Sequence, residues 1–432
     1  MAGSSREVHL AYGRHGLDVV LPEQAEVTVL VPQSLPGLPD EEAAVREALR
    51  HPIGSSPLRD RVSPTDTVAV VFSDLTRPQP RERMLPVLLQ EIAAVPPEQI
   101  VLINALGTHR PSTGAELRGM LGDAIVDGPP GRRYRVVQHD ANDQGQLVCI
   151  GQTRFGHAAW VNAAYMQADV KILTGFIEPH LFAGFSGGPK AVMPGVAGME
   201  IILDNHSGEM LSSPLATWGV TEGNPVWEEM REVARLTRPD FILNVTLNGD
   251  RQICGVFAGE MEAAHAAGVA QVRASAMVPV DVPFDVALTT NAGYPLDLNL
   301  YQSVKGISAA TQVVRRGGAI LIASECWDGI PEHGNYKSFL LAADSPQALY
   351  DRVVAPGLRV PDQWEAFIHA RLCLHADIYL YADGLSDDQI RMAMMVPCRD
   401  IEAALHDLVA RYGPRLCVLP EGPMTVPYLR EG

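Results

Sequence analysis

Lysine is nearly missing from this chain. Only Lys171, Lys190, Lys305 and Lys337 occur among 34 Lys and Arg residues, so arginine carries almost all the positive charge. Cysteine is also sparse. The six, Cys149, Cys254, Cys326, Cys373, Cys398 and Cys417, form no CxxC pair. That spacing disfavours a disulfide framework, a thiolate zinc site and an iron–sulfur site, and fits free thiols in a reducing compartment. No apolar run reaches the ~18–20 residues a membrane-spanning helix needs. The first residues, "MAGSSREVHLAYGRHG", have neither the charged start nor the apolar block of a signal peptide, so a cytoplasmic location is the default expectation. The net charge of −17 argues against nucleic acid and anionic membrane as partners, because both require a positive face. A small anionic substrate stays possible, provided Arg and Lys gather locally.

What is present is a core-forming composition, 47% hydrophobic and 20% charged over 432 residues, long enough for two or three domains. Residues 7–32 alternate like a short antiparallel ribbon. The pattern then becomes strand, loop, helix: "DTVAVVFS" runs into "DLTRPQP", the helix "PRERMLPVLLQEIAAV" follows, and the strand "QIVLINAL" ends in "GTHRPST". Ser112 or Thr113 can cap the helix "GAELRGML". Further apolar runs stand at "RYRVVQHD", "ADVKILTGF" and "DFILNVTLN". Near residue 280 the alternation restarts after a proline-spaced connector, "MVPVDVPF", with the strand and loop "DVALTTNAGYP", the helix "LNLYQSVKGISAATQVV" and the strand "GGAILIASE". The expectation is an α/β fold of two domains, 1–275 and 280–432, with mainly parallel sheets flanked by helices. Ligands in such sheets sit beyond the carboxyl ends of the strands. Asp74, Arg77, His109, Glu178, His180, Asn291 and Tyr294 all fall there, so a cleft between the domains is the expected site.

Individual motifs carry different weights. "SDLTRP" sets a carboxylate and a guanidinium three residues apart on a strand-end loop, which alone can be a turn-shaping pair. "GTHRPST" holds His109 between glycine and proline, and a second strand-end histidine, His180, strengthens both as acid–base candidates. "EPHLFAGFSGGPK" superficially resembles a phosphate loop, but Pro189 and Ala191 break GxxxxGK[ST], which disfavours nucleotide hydrolysis. Its glycines still let backbone approach a ligand closely, and Pro189 stiffens the chain before Lys190. His206 ends the helix-like "MEIILDNH"; as a metal ligand it needs partners, and no HxH or HxxxH pairing supplies them. "NLYQSVKG" puts Tyr301, Gln302 and Lys305 at the start of a helix, an arrangement suited to gripping a carboxylate. No GxGxxG turn follows a strand, which disfavours a nicotinamide dehydrogenase.

Taken together, "SDLTRP", "ALGTHRP", "EPHLFAGFSGGPK" with "DNH", "NAGYPLDLNLYQSVKG" and "DQWEAF" (362–367) resemble the nickel-dependent lactate racemase family, in order, over about 300 residues. The resemblance implies a racemase or epimerase of a 2-hydroxy acid, lactate or malate first and a sugar acid or aryl lactate as the alternative. It implies a nickel-pincer nucleotide bound covalently to Lys190, with His206 as the protein ligand to nickel and enzymes of cofactor biosynthesis as partners. The match makes His109 and His180 the two acid–base residues. It places Asp74, Arg77, Gly187, Gly188 and Pro189 at the cofactor, and Arg77, Tyr301, Gln302, Lys305 and Trp364 at the substrate. Hydride would leave the substrate carbon reversibly while a histidine takes the hydroxyl proton. A metal- or nucleotide-binding homologue without activity is the competing reading, and the intact histidine pair weighs against it.

Overall fold

The computed structural model describes residues 6–129 and 133–430. The first five residues of the stretch read as lacking a leader lie outside the described residues. The chain divides into two compact units.

The first unit comprises residues 34–205 and 215–273. Its six-stranded sheet runs in the order Ile253–Gly259, Phe241–Leu247, Val170–Phe176, Val68–Ser73, Ile100–Ala105, Arg135–Gln138. Only the edge strand Ile253–Gly259 is antiparallel to its neighbour. The strand "VAVVF" (68–72) is buried throughout, as expected where helices cover both faces of a parallel sheet. Its core joins Val68, Val70 and Phe72 to Leu85 and Leu88 of the helix Arg81–Glu91 and to Val45 and Leu49 of the helix Glu41–Arg50. The chain enters at Val68–Ser73, builds outward through Ile100–Ala105 and Arg135–Gln138, and then returns to the opposite side with Val170–Phe176. Sheet order therefore reverses between Val68–Ser73 and Val170–Phe176, the position at which doubly wound folds open a crevice for ligands. Thr113 caps the helix Gly114–Leu121 in a full capping box with Glu116.

The second unit contains residues 274–432 together with 1–33 and 206–214. Its sheet is wholly parallel, in the order Val396–Cys398, Asp377–Tyr381, Val314–Ala323, Phe284–Thr290, Arg415–Leu419, Glu26–Val29. The reversal here lies between Phe284–Thr290 and Arg415–Leu419, beside the loop that begins at Asn291.

Three sequence expectations change. A single N-terminal domain over 1–275 gives way to a discontinuous one. Of the ribbon read over 7–32, Glu7–Leu10 and Leu17–Val20 pair antiparallel, but Glu26–Val29 adds in parallel to Arg415–Val418. Backbone pairing across nearly 400 residues leaves no local trace in the pattern. The connector "MVPV" is a strand, Met277–Val280, paired with Val426–Leu429; with one partner strand only, it sits at an edge where proline is tolerated.

Candidate active site

In the first unit the loop after Val68–Ser73 is held by a buried guanidinium. Arg81 donates from Nε to the Ser73 carbonyl (2.6 Å), from Nη1 to that of Gln79 (3.0 Å) and from Nη2 to those of Arg77 (3.0 Å) and Asp74. Burial pulls its pKa down to about 10, so it remains charged. Four carbonyls facing one cation leave the loop little freedom, and the Asp74 side chain is thereby aimed inward, 4% exposed.

Asp74 accepts a hydrogen bond from His109 Nδ1 at 2.6 Å and another from Thr76 Oγ1 at 2.9 Å. Burial by itself pushes this carboxyl up, but the His109 hydrogen bond, the charges of His109 and Arg77, and Thr76 outweigh it and hold the pKa below the ordinary value. An ionised Asp74 fixes the His109 proton on Nδ1 and leaves Nε2 with a free lone pair. That is the geometry of an oriented general base. His109 has a 42% exposed side chain, so its ring is open to solvent.

His180 sits on the loop after Val170–Phe176, paired across a two-residue bridge to Gly184. Its Nδ1 accepts from the backbone N–H of Ala183 (3.3 Å) and of Phe182 (3.5 Å), and its ring meets Phe182 edge-on at 4.6 Å. With Nδ1 so engaged, the neutral ring carries its proton on Nε2. The two histidines thus rest in opposite tautomers.

The glycine loop is tightly built. Gly187 (φ +78°) and Gly188 (φ +49°) adopt left-handed backbone. A Cβ on Gly187 would lie 2.8 Å from Asn244 Oδ1, and one on Gly188 2.7 Å from the His265 ring. Asn244 Oδ1 accepts from the Gly188 N–H at 2.7 Å, and His265 Nε2 donates to the Ser186 carbonyl at 2.9 Å. Pro189, buried, follows in a short turn that presents Lys190. The half-buried Lys190 amine lies 3.9 Å from Met230 Sδ and 5.8 Å from the centre of the Phe182 ring. Burial first and the Arg77 charge second lower its pKa to about 7, against a weaker opposing pull from Glu178. Much of this amine is therefore uncharged and nucleophilic at neutral pH.

The second unit gathers another set. His206, buried, meets Trp364 edge-on at 5.3 Å, and Gln363 Nε2 donates to the His206 carbonyl at 3.3 Å. Trp364 Nε1 donates to Tyr301 Oη at 3.1 Å. Tyr301, Gln302 and Lys305 occupy the first turns of the helix Leu300–Thr311, capped by Asn299, and Lys305 Nζ donates to Gln302 Oε1 at 2.7 Å. His206 thus packs with the C-terminal residues rather than with the unit that holds Lys190, unlike the division read from the sequence.

Two contributors escaped sequence reading. Arg81 and Asn244 hold loops from elements without a motif of their own. Among the described residues no three His, Cys, Asp or Glu side chains converge as a metal site. Among the described residues no helix is long and apolar enough to cross a membrane.

The chain matches two family models, the lactate racemase N-terminal domain over residues 12–219 and the lactate racemase C-terminal domain over 280–426. The lactate racemase of Lactiplantibacillus plantarum is 38% identical over 387 residues, covering 88% of this chain and 90% of that protein. That of Thermoanaerobacterium thermosaccharolyticum is 34% identical over 422 residues, 96% and 97% of the two chains. The solved lactate racemase apoprotein from the latter organism superposes with a TM-score of 0.89 at 32% identity, over 98% of this chain and all of that one. A Thermotoga maritima structure at 17% identity and a TM-score of 0.68 shares the fold. The fold is that of the lactate racemase apoprotein, a mixed α/β architecture with mainly parallel sheets. The chain belongs to the lactate racemase family.

Proposed function

We propose that this protein racemises lactate, using His109 and His180 as acid–base groups with a nickel-pincer nucleotide attached at Lys190. The observation that carries the reading is the Asp74–His109 hydrogen bond at 2.6 Å, which leaves His109 Nε2 ready to accept a proton. The relatives named lactate racemase point to the substrate.

The residues fit the cofactor. An amine whose pKa is lowered to about 7 can form a thioamide at neutral pH, whereas arginine cannot. Gly187 and Gly188, where a Cβ would collide with Asn244 and His265, fix the turn that presents Lys190, and His206 offers one imidazole for nickel. When bound, the group supplies a hydride acceptor for the carbon bearing the hydroxyl.

This chain's own residues do the rest. Lys305, Gln302 and Tyr301 bind the lactate carboxylate, with charge from the ammonium and the helix N-terminus favouring the anion. Trp364 orients Tyr301 through its indole N–H. For one enantiomer His109 takes the hydroxyl proton at Nε2 and the resulting imidazolium is stabilised by Asp74. For the other, His180 does so at Nε2 from the tautomer that carries its proton on Nδ1, reached by proton exchange with solvent as the long 3.3 and 3.5 Å contacts of that atom give way. Two bases are required because the enantiomers present their hydroxyls on opposite sides.

The test is direct. The chain, co-produced with enzymes that make the cofactor, is given L-lactate or D-lactate alone, with malate for comparison, and the products are separated by chiral chromatography. The other lactate enantiomer is expected, together with a mass increase on the Lys190 peptide. Optically pure lactate from a protein carrying that adduct would overturn the substrate. Full activity without the adduct would overturn the role of Lys190.

A further inference from the structure

Asn291 has no part in the chemistry above, yet its side chain is tied to the helix that carries the carboxylate grip. It is the first residue beyond the strand Phe284–Thr290, at the edge where the second sheet reverses, and is 1% exposed. An amide buried this deeply needs partners within the protein, and both of its ends have one. Nδ2 donates to the Leu296 carbonyl at 2.5 Å, and Oδ1 accepts from the Gly306 N–H at 3.1 Å.

The second bond reaches into the helix itself. Gly306 lies in the interior of Leu300–Thr311, where a backbone N–H ordinarily serves the carbonyl four residues back, here that of Gln302. A side chain entering that ladder from another element sets the local course of the helix. The peptide group it meets is the one joining Lys305 to Gly306, one turn beyond Gln302. Close packing makes this possible. A Cβ on Gly306 would strike the Thr290 carbonyl oxygen, and so would one on Gly422. Thr290 Oγ1 donates to the Pro420 carbonyl and accepts from the Ala292 N–H, both at 3.1 Å. The strand end that carries Asn291 is therefore wedged and fastened before its side chain meets the helix.

Other groups hold the start of the helix. Asn299 Oδ1 accepts from the Gln302 N–H at 3.1 Å, Asn299 Nδ2 donates to Asp328 Oδ2 at 3.1 Å, and Ser303 Oγ lies 2.7 Å from Ser324 Oγ. These fix where the helix begins. Asn291 fixes how the turn from Gln302 to Gly306 is rotated and how closely it lies on the strand end. The loop takes left-handed backbone at Ala292 (φ +62°), which is strained for a residue with a Cβ. Such strain persists where the surroundings over-determine it, and it clusters at functional sites.

We propose that Asn291 is a positioning residue for substrate binding, holding the turn that carries Gln302 and Lys305 at the angle from which both meet the substrate carboxylate. The inference rests on the reading of Tyr301, Gln302 and Lys305 as the carboxylate grip. The carboxylate is gripped equally in the bound substrate and in the transition state. A misplaced grip therefore raises KM and spares kcat.

The experiment uses the cofactor-loaded protein and lactate. Asn291→Ala should raise KM roughly tenfold, the worth of one hydrogen bond. Turnover should stay within about twofold of wild type, with the Lys190 adduct and the nickel content unchanged. A purely structural role would instead lower kcat and the yield of loaded protein together. Joined to Gln302→Ala, the substitution should raise KM by less than it does alone, because part of what it positions is gone. A fall in kcat at unchanged KM, or two effects that simply multiply, would overturn the proposal. Should Asn291→Ala not fold, Asn291→Ser answers the same questions. Calorimetric titration with lactate separates this proposal from the activity. Weaker binding by the variant, in a wild type that does not racemise, would sink the activity and leave the positioning role. Racemisation with equal affinities would do the reverse. No lactate heat from the wild type would overturn both.

Discussion

His109 Nδ1 stands 2.6 Å from Asp74 Oδ2, and the carboxylate's second oxygen is occupied by Thr76. Asp74→Asn should keep the shape and lose the tautomer. A fall in kcat of roughly 10³–10⁴-fold is expected, as for other carboxylates that orient a histidine base, with little change in the melting temperature. An activity loss below about tenfold would remove Asp74 from the proton relay.

Asp74 also makes stability depend on acid. Its folded pKa lies below the ordinary carboxylate value, so the native state binds fewer protons than the unfolded one near pH 4. The stabilisation is present above that range and is lost as pH falls through the folded pKa. Denaturant titrations from pH 6 to pH 3 should show a steeper decline for wild type than for Asp74→Asn.

Lys190 acts in the same direction at higher pH. Its folded pKa of about 7 is below that of an unfolded lysine, so between about 7 and 10.4 the unfolded chain holds the extra proton and stability rises with pH. Lys190→Met should flatten that rise, read by chemical denaturation at pH 6.5 and 9. In trace labelling of the cofactor-free chain with acetic anhydride, Lys190 should reach half-maximal reactivity near pH 7, well below the range of an ordinary lysine.

Gly188→Ala should be costly. Its φ of +49° and the 2.7 Å approach of a Cβ to the His265 ring together predict a loss of about 2 kcal/mol or more. A melting temperature within one or two degrees of wild type would mean the loop relaxes freely. Restoring space with His265→Ala in the same chain should recover part of the loss.

Glu229, fully buried on the helix Pro225–Thr237, accepts from Thr153 Oγ1 (2.7 Å), His157 Nδ1 (2.7 Å) and Asn205 Nδ2 (2.9 Å). Glu229→Ala strands three donors, and a destabilisation of about 3 kcal/mol is expected from equilibrium unfolding. Because Asn205 directly precedes His206, nickel content of the loaded protein should fall as well.

Much of the site was legible because its groups end apolar strands. Hydrophobic runs such as "VAVVF" and "ILTGF" mark parallel strands by their burial, and the polar residues just beyond them fall at the carboxyl edge. Asp74, His109 and His180 were found that way, Lys190 by the scarcity of lysine and its place at the end of a glycine-rich loop, and the helix spacing of Tyr301 and Lys305 by periodicity. The family resemblance added roles to those positions.

Other features had no local signature. That Glu26–Val29 pairs with Arg415–Val418, that His206 packs on Trp364 and that Arg81 clamps four carbonyls are contacts between residues remote in the chain or on elements of no distinctive pattern. Sequence alone determined which chemical groups this protein possesses and which strands and helices carry them, since propensity and periodicity act over a few residues. Only the tertiary structure decided how buried each group is, and therefore its charge. Burial is a property of packing, and it is burial that brings the pKa of Lys190 down to about 7.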